Sequence, residues 1–398
     1  MATWFLSSRE PASPTHRVST FELLFDLVFV FAFTQVTEFM ATSHSATGVL
    51  EAMIMLGFLW WSWSSYGWLT NQSSVDDGVL RVGMIVGMCA IFVLALAIPT
   101  AFSRPAGSLN AALVIGIAYF VVRIVHFGLY LLASGSDREL RTQVLRTSIS
   151  MWVGVALILT GAILGPPAQL WFWLAAMIAD IGLTYATSRG GNWRVHSASH
   201  WAERHGLVVI LALGESVVAI GSGAAHSPLS LAVVTGALLA LLLTTGLWWL
   251  YFDAASRAAE EKLERETGRD RSALATDAYT YVHLLLIAGI VISALGVEEI
   301  MARVGSTSAL GLFGGCAVFG GTSLYLFGHA VFWKRVGGSW KVWRLAGATA
   351  LLALIPVSLI VPPLAALGIV VAVTAIVVTV ESVRFAQERA ELHAREAV

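Results

Sequence analysis

The chain has 398 residues, of which 57% are hydrophobic and 12% are charged, and its formal net charge is −1 at pH 7. Soluble domains carry roughly a quarter charged residues, so this composition excludes a soluble globular protein and indicates a membrane protein with many spans. No motif for nucleic-acid binding is present in the sequence. The two cysteines both lie inside apolar runs, which predicts neither a disulfide nor a cysteine metal site.

Apolar stretches of about 20 residues follow one another along the chain, each long enough to cross about 30 Å of hydrocarbon as a helix. The twelve predicted spans cover residues 21–40, 49–69, 79–99, 109–133, 146–165, 168–187, 204–223, 229–252, 277–297, 308–333, 343–361 and 363–384. Pro166-Pro167 and Pro362-Pro363 separate neighbouring spans, because proline ends helices and donates no backbone N–H. The predicted fold is an all-α polytopic membrane protein with about 12 transmembrane helices.

Basic residues are distributed unevenly over the predicted loops. The N-terminus, the even-numbered loops and the C-terminus hold 21 of the 24 Lys and Arg residues. The odd-numbered loops hold Arg104 and Arg303, and one span holds Arg123. Because loops rich in Lys and Arg stay in the cytoplasm, both termini are predicted to be cytoplasmic.

The predicted spans divide into two halves whose sequences can be aligned. ELLFDLVFVFAFTQVT from Glu22 aligns without gaps with ERHGLVVILALGESVV from Glu203, and Asp77 and Asp277 begin the third span of each half. Two parallel six-helix repeats are therefore predicted, with a site at their interface. Shared apolar composition is the alternative explanation.

The same alignment predicts how the chain is divided. A cytoplasmic N-terminal segment covers 1–20, the first half covers 21–187, a cytoplasmic linker covers 188–203, the second half covers 204–384 with a cytoplasmic loop at 253–276, and a cytoplasmic tail covers 385–398. The loop and the tail carry mixed charges and little apolar surface, so both are expected to be solvated.

The first predicted span, FELLFDLVFVFAFTQVTEFM, contains two carboxylates one helical turn apart. Glu22 and Asp26 share one face of the helix, where they repel each other unless a cation or a proton neutralises them. One interpretation is that Arg81, Arg123 or Arg204 pairs with them and locks helices together. A second is a proton or cation site, and a third is a pair of side chains that reach the membrane surface.

A second polar stretch, HSASHWAERH, lies at the start of the seventh predicted span. His200 and Glu203 are one turn apart on one helix face, a spacing that carboxylate–histidine metal sites use. The alternative is a polar helix end that caps the helix and pairs with arginine. A metal at His200 and Glu203 is therefore one hypothesis, and no other cofactor is predicted.

Charged side chains at membrane depth usually face a cavity or one another, because each is costly to hold in lipid. The candidates for a transport or ion site are Glu22, Asp26, Gln35, Arg123, His126, Asp180, Glu203, Glu215, His283 and His329. Asp26 and Glu215 are predicted to exchange a proton or cation, with Arg123 as their counter-ion.

Histidines and tryptophans add two further expectations. His126, His283 and His329 lie near one predicted depth, which is compatible with buried neutral histidines or with a proton relay. The aromatic run WWSWSSYGW at 60–68 is expected to form an interfacial belt.

Several of these segments together resemble a known family. FELLFDLVFVFAFTQV, HWAERHGLVVILALGESVVAIG, LWWLYFD, YVHLLLIAGI and the histidine of LFGHAVF are similar to the bacterial low temperature requirement A proteins, over residues 17–384. The resemblance implies an integral membrane protein with many helices, and the family name describes a growth phenotype rather than a reaction. The residues within the family's motifs are Glu22, Phe25, Asp26, His200, Glu203, Arg204, Gly214, Glu215 and Ser216.

The combined expectation is a transporter or channel for a small solute, a cation or a proton in the cytoplasmic membrane of a bacterium. One alternative is a membrane-embedded enzyme that acts on a lipid or isoprenoid through the face of His200 and Glu203. Another is a non-catalytic cold-response protein, and an enzyme is less favoured than a transporter. The expected partners are the lipid bilayer and the solute or ion, with no nucleic acid, and a homo-oligomer is left open.

Overall fold

A computed structural model describes residues 17–73, 78–105, 107–188, 193–225 and 227–384, and the regular elements in these ranges are helices. The helices are α1 (Thr20–Ser43), α2 (Ala46–Gln72), α3 (Gly78–Ala97), α4 (Ala111–Ala133), α5 (Arg138–Leu164), α6 (Ala168–Ser188), α7 (Ala198–Ala224), α8 (Leu231–Phe252), α9 (Ala255–Arg265), α10 (Gly268–Leu274), α11 (Val282–Ala302), α12 (Leu312–Gly315), α13 (Gly321–Gly337), α14 (Val342–Leu354) and α15 (Pro363–Arg384). The predicted all-α fold is confirmed.

Within the described residues, twelve helical stretches are long and apolar enough to cross a membrane, which confirms the predicted span count. Some spans join two elements, since α10 continues into α11 through a wide helical turn at Ala275–Tyr281, and α12 continues into α13 through another at Cys316–Gly320. Spans of this length and composition embed the chain in a lipid bilayer.

Polar side chains determine where several helices begin. Capping side chains that accept from backbone N–H groups of the first turn precede α4, α5 and α8, and they belong to Asn110, Asp137 and Ser230. The hydroxyl of Ser197 caps α7 by accepting from the backbone N–H of His200 at 3.1 Å. Because α7 begins at Ala198, ahead of the predicted start of this span, Arg204 lies inside the helix rather than at its end.

Most of α1, together with α2 to α6, forms one compact unit, and α8, α9 and α11 to α15 belong to a second. Among the described residues, the first unit contains the chain up to Phe39, Ala46–Arg204 and Thr267–Ala273, and the remainder forms the second. The internal repeat stays a prediction. Asp77, one of its aligned residues, lies outside the described residues.

Within the segment 253–276, α9 contradicts the expectation of little apolar surface. Within it, α9 buries Ala255, Ala259 and Leu263, which recur on one face of the helix. The expectation was wrong because small apolar side chains among many charges still give a helix a face that packs. The predicted solvated tail at 385–398 lies outside the described residues.

In the second unit, α11 and α13 approach each other through glycines. A Cβ atom added at Gly289 would lie 2.5 Å from the backbone nitrogen of Tyr325, and one added at Gly321 would meet the backbone of Ser293. Small residues let membrane helices pack backbone to backbone where larger side chains would hold them apart. These two helices therefore form a close-packed pair.

Candidate functional site

The two carboxylates of α1 face one arginine from the second turn of α7. Arg204 donates from Nη1 to Glu22 Oε1 at 2.8 Å and from Nη2 to Asp26 Oδ1 at 2.6 Å. None of the three side chains is more than 1% exposed. Of the arginines that the sequence suggested as partners, which also included Arg81 and Arg123, Arg204 is the one that binds both carboxylates.

Helix α2 completes the surroundings of this arginine. Trp63 Nε1 donates to Asp26 Oδ1 at 2.9 Å, and Thr70 Oγ1 accepts from Arg204 Nη1 at 3.2 Å. The guanidinium carbon also lies 5.5 Å from the centroid of the Trp63 ring, within the range of a cation–π contact. The expected interfacial belt is therefore wrong for Trp60 and Trp63, which are buried. Trp63 contacts the ion pair, and Trp60 stacks on Trp63 with ring centroids 5.1 Å apart.

Hydrogen bonds around His200 fix its protonation state. Asn71 is oriented by two backbone groups, since its Oδ1 accepts from the N–H of His196 at 2.8 Å and its Nδ2 donates to the carbonyl of Ser197 at 2.7 Å. The same Nδ2 donates to His200 Nδ1 at 3.2 Å, so the proton of the imidazole lies on Nε2, 2.9 Å from Glu22 Oε1. His200 is thus a neutral donor to Glu22.

These four side chains, Glu22, Asp26, His200 and Arg204, form what we call the Arg204 cluster, and it contains more carboxylates than cations. Glu22 Oε2 accepts from the backbone N–H and the hydroxyl of Ser19 at 2.9 and 3.1 Å. Asp26 Oδ2 has no hydrogen-bond partner among the residues that the structure describes. Two carboxylates against one arginine leave one excess negative charge, which is strongly unfavourable in a buried site. One proton on Asp26 would make the cluster neutral.

Arg123, which lies in α4, pairs with Asp180 of α6. Its Nη2 lies 3.0 Å from Asp180 Oδ1, and its Nη1 donates to Ser65 Oγ at 2.9 Å. Tyr119 donates its hydroxyl proton to Asp180 Oδ2 at 2.5 Å. The expectation that Arg123 is the counter-ion of Asp26 is wrong, because Asp180 already neutralises it.

A second buried arginine with a carboxylate and a histidine lies within the second unit. Arg344 of α14 donates from Nε to Glu381 Oε1 at 3.0 Å and from Nη2 to Glu381 Oε2 at 2.7 Å. Its Nη1 donates to His329 Nδ1, so the ring proton of His329 lies on Nε2 and this histidine is neutral. Arg344 and Glu381 form a one-to-one ion pair. A second cation is near, since Lys341 Nζ lies 4.0 Å from the centroid of the Trp333 ring that Arg344 also contacts.

His283, also in the second unit, is held between two fixed groups. Its Nδ1 donates to the backbone carbonyl of Ala278 at 2.9 Å, and its Nε2 accepts from the hydroxyl of Tyr251 at 2.8 Å. The wide turn before α11 provides that carbonyl, five residues earlier in the chain. His283 therefore has the hydrogen bonds of a buried neutral histidine, one of the two interpretations of the sequence.

The proposed metal ligands His200 and Glu203 have different partners. His200 bonds Glu22 and Asn71, whereas Glu203 is 35% exposed, lies 3.9 Å from Arg17 Nη1, and accepts from a backbone N–H of the N-terminal segment. Within the described ranges, no group of three or more His, Cys, Asp or Glu side chains could hold a metal ion.

The remaining candidates lie apart from the Arg204 cluster or in the second unit. Gln35 is partly buried and lies nine residues after Asp26, about 13 Å along the helix. Glu215 is buried in the part of α7 that belongs to the second unit. His126 lines a cavity of the first unit.

Two side chains that complete the Arg204 cluster, Trp63 and Asn71, were not among the sequence candidates. A signal for Arg204 itself does exist, because His200 and Arg204 are four residues apart, the same spacing as Glu22 and Asp26. Two helices with paired side chains at this spacing can meet face to face. Nothing in the pattern around Asn71 marks it as a residue that fixes a histidine.

Comparisons with known proteins place the chain among proteins of one family. The family model described as "Bacterial low temperature requirement A protein (LtrA)" matches residues 17–379. An uncharacterized protein of Rhizobium meliloti (strain 1021) is 29% identical over 328 residues, which cover 79% of this chain and 76% of that protein. No solved structure matches the chain.

Proposed function

The chain belongs to the bacterial low temperature requirement A family, and from that premise we propose that it is a transporter or channel that moves protons, alone or with a small solute. The Arg204 cluster is the proposed exchange site, and Asp26 is the residue that takes up and releases the proton. The family name describes a growth phenotype, so the proposal rests on the chain's own residues.

The observation that carries the proposal is the excess carboxylate of the Arg204 cluster. A buried arginine that only braces helices needs one carboxylate, as Arg123 has in Asp180. Arg204 has two, and the hydrogen bonds of Asn71 keep His200 neutral. The cluster is therefore neutral only when it also holds a proton or another mobile cation. A site inside a membrane that takes up and releases a proton needs such an excess carboxylate.

Hydrogen bonds favour Asp26 over Glu22 as the proton acceptor. Both oxygens of Glu22 are occupied, one by Arg204 and His200 and the other by Ser19. Asp26 Oδ1 accepts from Arg204 and Trp63, and its Oδ2 is the oxygen that can receive a proton without breaking a bond within the described residues. Protonation there preserves the contact with Arg204.

The depth of the site agrees with exchange from one side of the membrane. Glu22 lies in the first turn of α1, and Asp26 lies about 6 Å further along the helix. With the predicted orientation, this end of α1 faces the cytoplasm, so the proton would enter from that side. An enzyme that uses His200 and Glu203 together is less favoured, because these side chains have separate partners.

Proton flux into sealed vesicles tests the proposal. The protein is reconstituted in liposomes that contain a pH-sensitive dye, and a potassium gradient with valinomycin imposes an inside-negative potential. The wild type is expected to acidify the lumen faster than empty liposomes do. Asp26→Asn should reduce that rate at least about ten-fold while remaining folded, because Arg204 keeps Glu22 as its partner.

Asp277→Asn is the matched control, since Asp277 pairs with Arg335 in a half-exposed contact at 3.0 Å and belongs to no proposed site. Its flux should equal that of the wild type. Wild-type flux no faster than that of empty liposomes, or equal flux in Asp26→Asn and wild type, would contradict the proposal.

A further inference from the structure

A half-open cavity in the first unit lies between α4, α5 and the segment that precedes α7. The cavity has a volume of about 40 Å³, and its apolar walls include Val144 and Met151. Its polar lining includes Arg123, Tyr130 and Trp193. The cavity lies near the ends of the two helices, since Tyr130 is in the last turn of α4 and Val144 is in the second turn of α5.

Four polar side chains around this cavity have a buried atom without a hydrogen-bond partner among the described residues. These atoms are Arg123 Nε, His126 Nε2, Tyr130 Oη and Trp193 Nε1. Unpartnered buried polar atoms are rare, because each one costs free energy relative to its hydrated state. Their grouping around one cavity indicates a place for a polar ligand.

The chemistry of these atoms defines what such a ligand must offer. Arg123 Nε and Trp193 Nε1 are donors only, and the Tyr130 hydroxyl can also donate. His126 already bonds the backbone of Ser65, a bond in which the imidazole donates from Nδ1, so Nε2 is an acceptor in the neutral ring. The ligand must therefore accept about three hydrogen bonds and donate one.

Charge decides between neutral and ionic ligands. Arg123 is the cation of the polar lining, and Asp180 neutralises it at 3.0 Å. An anion in the cavity would consequently add an uncompensated charge to a partly buried site, which is unfavourable. A neutral ligand avoids this cost.

We infer that this cavity binds a small uncharged hydroxyl-bearing group of the glycerol type. Hydroxyl oxygens accept from Arg123, Trp193 and Tyr130, one hydroxyl donates to His126 Nε2, and the carbon chain lies against Val144 and Met151. The group can come from a free polyol or from the head of a neutral monoacylglycerol lipid, since the cavity is half-open. The inference is independent of proton exchange at the Arg204 cluster.

Saturation-transfer NMR tests the binding directly. The protein is placed in phosphatidylcholine nanodiscs, without sugar detergents that carry hydroxyl groups, and glycerol is titrated. The expected dissociation constant is on the order of 1 mM, as for a ligand with few atoms. Tyr130→Phe removes the hydroxyl donor and keeps the ring, and Trp193→Phe removes the indole N–H while keeping a smaller aromatic side chain. Each variant should weaken binding about three- to ten-fold.

Controls separate the cavity from general effects. Tyr185→Phe removes a hydroxyl that does not line the cavity, and it should bind glycerol as the wild type does. Ser148→Trp adds bulk to the lining and should abolish the signal. Unaltered binding in both donor variants, no saturation transfer in the wild type, or stronger binding of acetate or inorganic phosphate would overturn the inference.

A final titration identifies the source of the group. Nanodiscs that contain monoacylglycerol should lose the glycerol signal if the lipid head occupies the cavity. An undiminished signal assigns the cavity to a soluble polyol.

Discussion

Arg204 in the first unit and Arg344 in the second are both buried arginines with a histidine beside them, but they hold carboxylates in different proportions. Arg344 binds both oxygens of one carboxylate, that of Glu381. Arg204 binds one oxygen from each of two carboxylates, those of Glu22 and Asp26. The pair of Arg344 and Glu381 therefore has no excess carboxylate, whereas the Arg204 cluster retains a negative charge until a proton or cation joins it.

Under the proposed function, the ratio of charges, rather than the types of residue, distinguishes a cluster that only holds helices together from a proton-exchange site. Both clusters hold their histidine neutral through a donor, Asn71 for His200 and Arg344 for His329. Only the Arg204 cluster has a second carboxylate, and that carboxylate gives the cluster its residual negative charge. The following predictions test this contrast through stability, from the largest expected effect to the smallest.

Removal of each arginine should produce the largest effects. Arg344→Met leaves one buried carboxylate without its partner and is expected to lower the free energy of unfolding by roughly 3–5 kcal/mol. Arg204→Met leaves two carboxylates one turn apart, which also repel each other, so its loss should be greater still. Unfolding by sodium dodecyl sulfate in mixed micelles measures both.

Arg335→Met is the control for the arginine variants. Its partner Asp277 is 41% exposed, so the loss should stay below about 1 kcal/mol. A larger loss in Arg344→Met than in Arg204→Met would remove the basis of the contrast.

Removal of one carboxylate should destabilise the Arg344 pair more than the Arg204 cluster, which is the reverse of the order expected for the arginines. Glu381→Gln leaves Arg344 without an anionic partner and should cost roughly 3–5 kcal/mol. Asp26→Asn leaves Arg204 paired with Glu22 and removes the excess charge, so its cost should stay below about 2 kcal/mol. The same unfolding assay measures both, and equal losses would mean that Asp26 is as structural as Glu381.

The smallest effect is expected at the exposed edge of the Arg204 cluster. Partial burial and the nearby charge of Arg194 hold the pKa of His196 below its usual value, although Asp137 lies 3.4 Å from Arg194 and offsets part of that charge. His196 therefore binds a proton more readily in the unfolded chain than in the folded one. The free energy of unfolding should fall as the pH drops below the usual histidine pKa of about 6.5, and it should not change with His196 at higher pH.

His196→Gln should reduce that loss, because glutamine does not titrate. Unfolding of the wild type and the variant at about pH 8 and about pH 5.5 gives the comparison. An identical pH dependence in the two proteins would assign the effect to another group.

The number of spans and the shared face of Glu22 and Asp26 could be predicted from the sequence. Both follow from local periodicity, since an apolar run of this length forms a helix and residues four apart lie on one side of it. The segment 253–276 shows where this reasoning fails, because charge content alone does not show which small apolar side chains will be buried.

The sequence left Arg204 as one of three possible partners of Glu22 and Asp26, and its spacing from His200 did not decide among the three. The pairing of Arg123 with Asp180 had no signal in the sequence. Each depends on which helices become neighbours, and apolar helices carry little information about their order in space. The neutral state of His200 depends further on the orientation of one amide, that of Asn71, which is set by backbone groups far away in the sequence.

The glycine contacts between α11 and α13 limit how the second unit can change shape. Sliding of packed helices works by switching side chains between alternative packings, and at Gly289 and Gly321 the neighbouring helix meets bare backbone instead. If one helix slid by one turn along the other, a residue with a side chain would take the place of the glycine and collide with the backbone of the neighbouring helix. These two helices must therefore travel as a single rigid body, and any hinge of the second unit has to lie outside them.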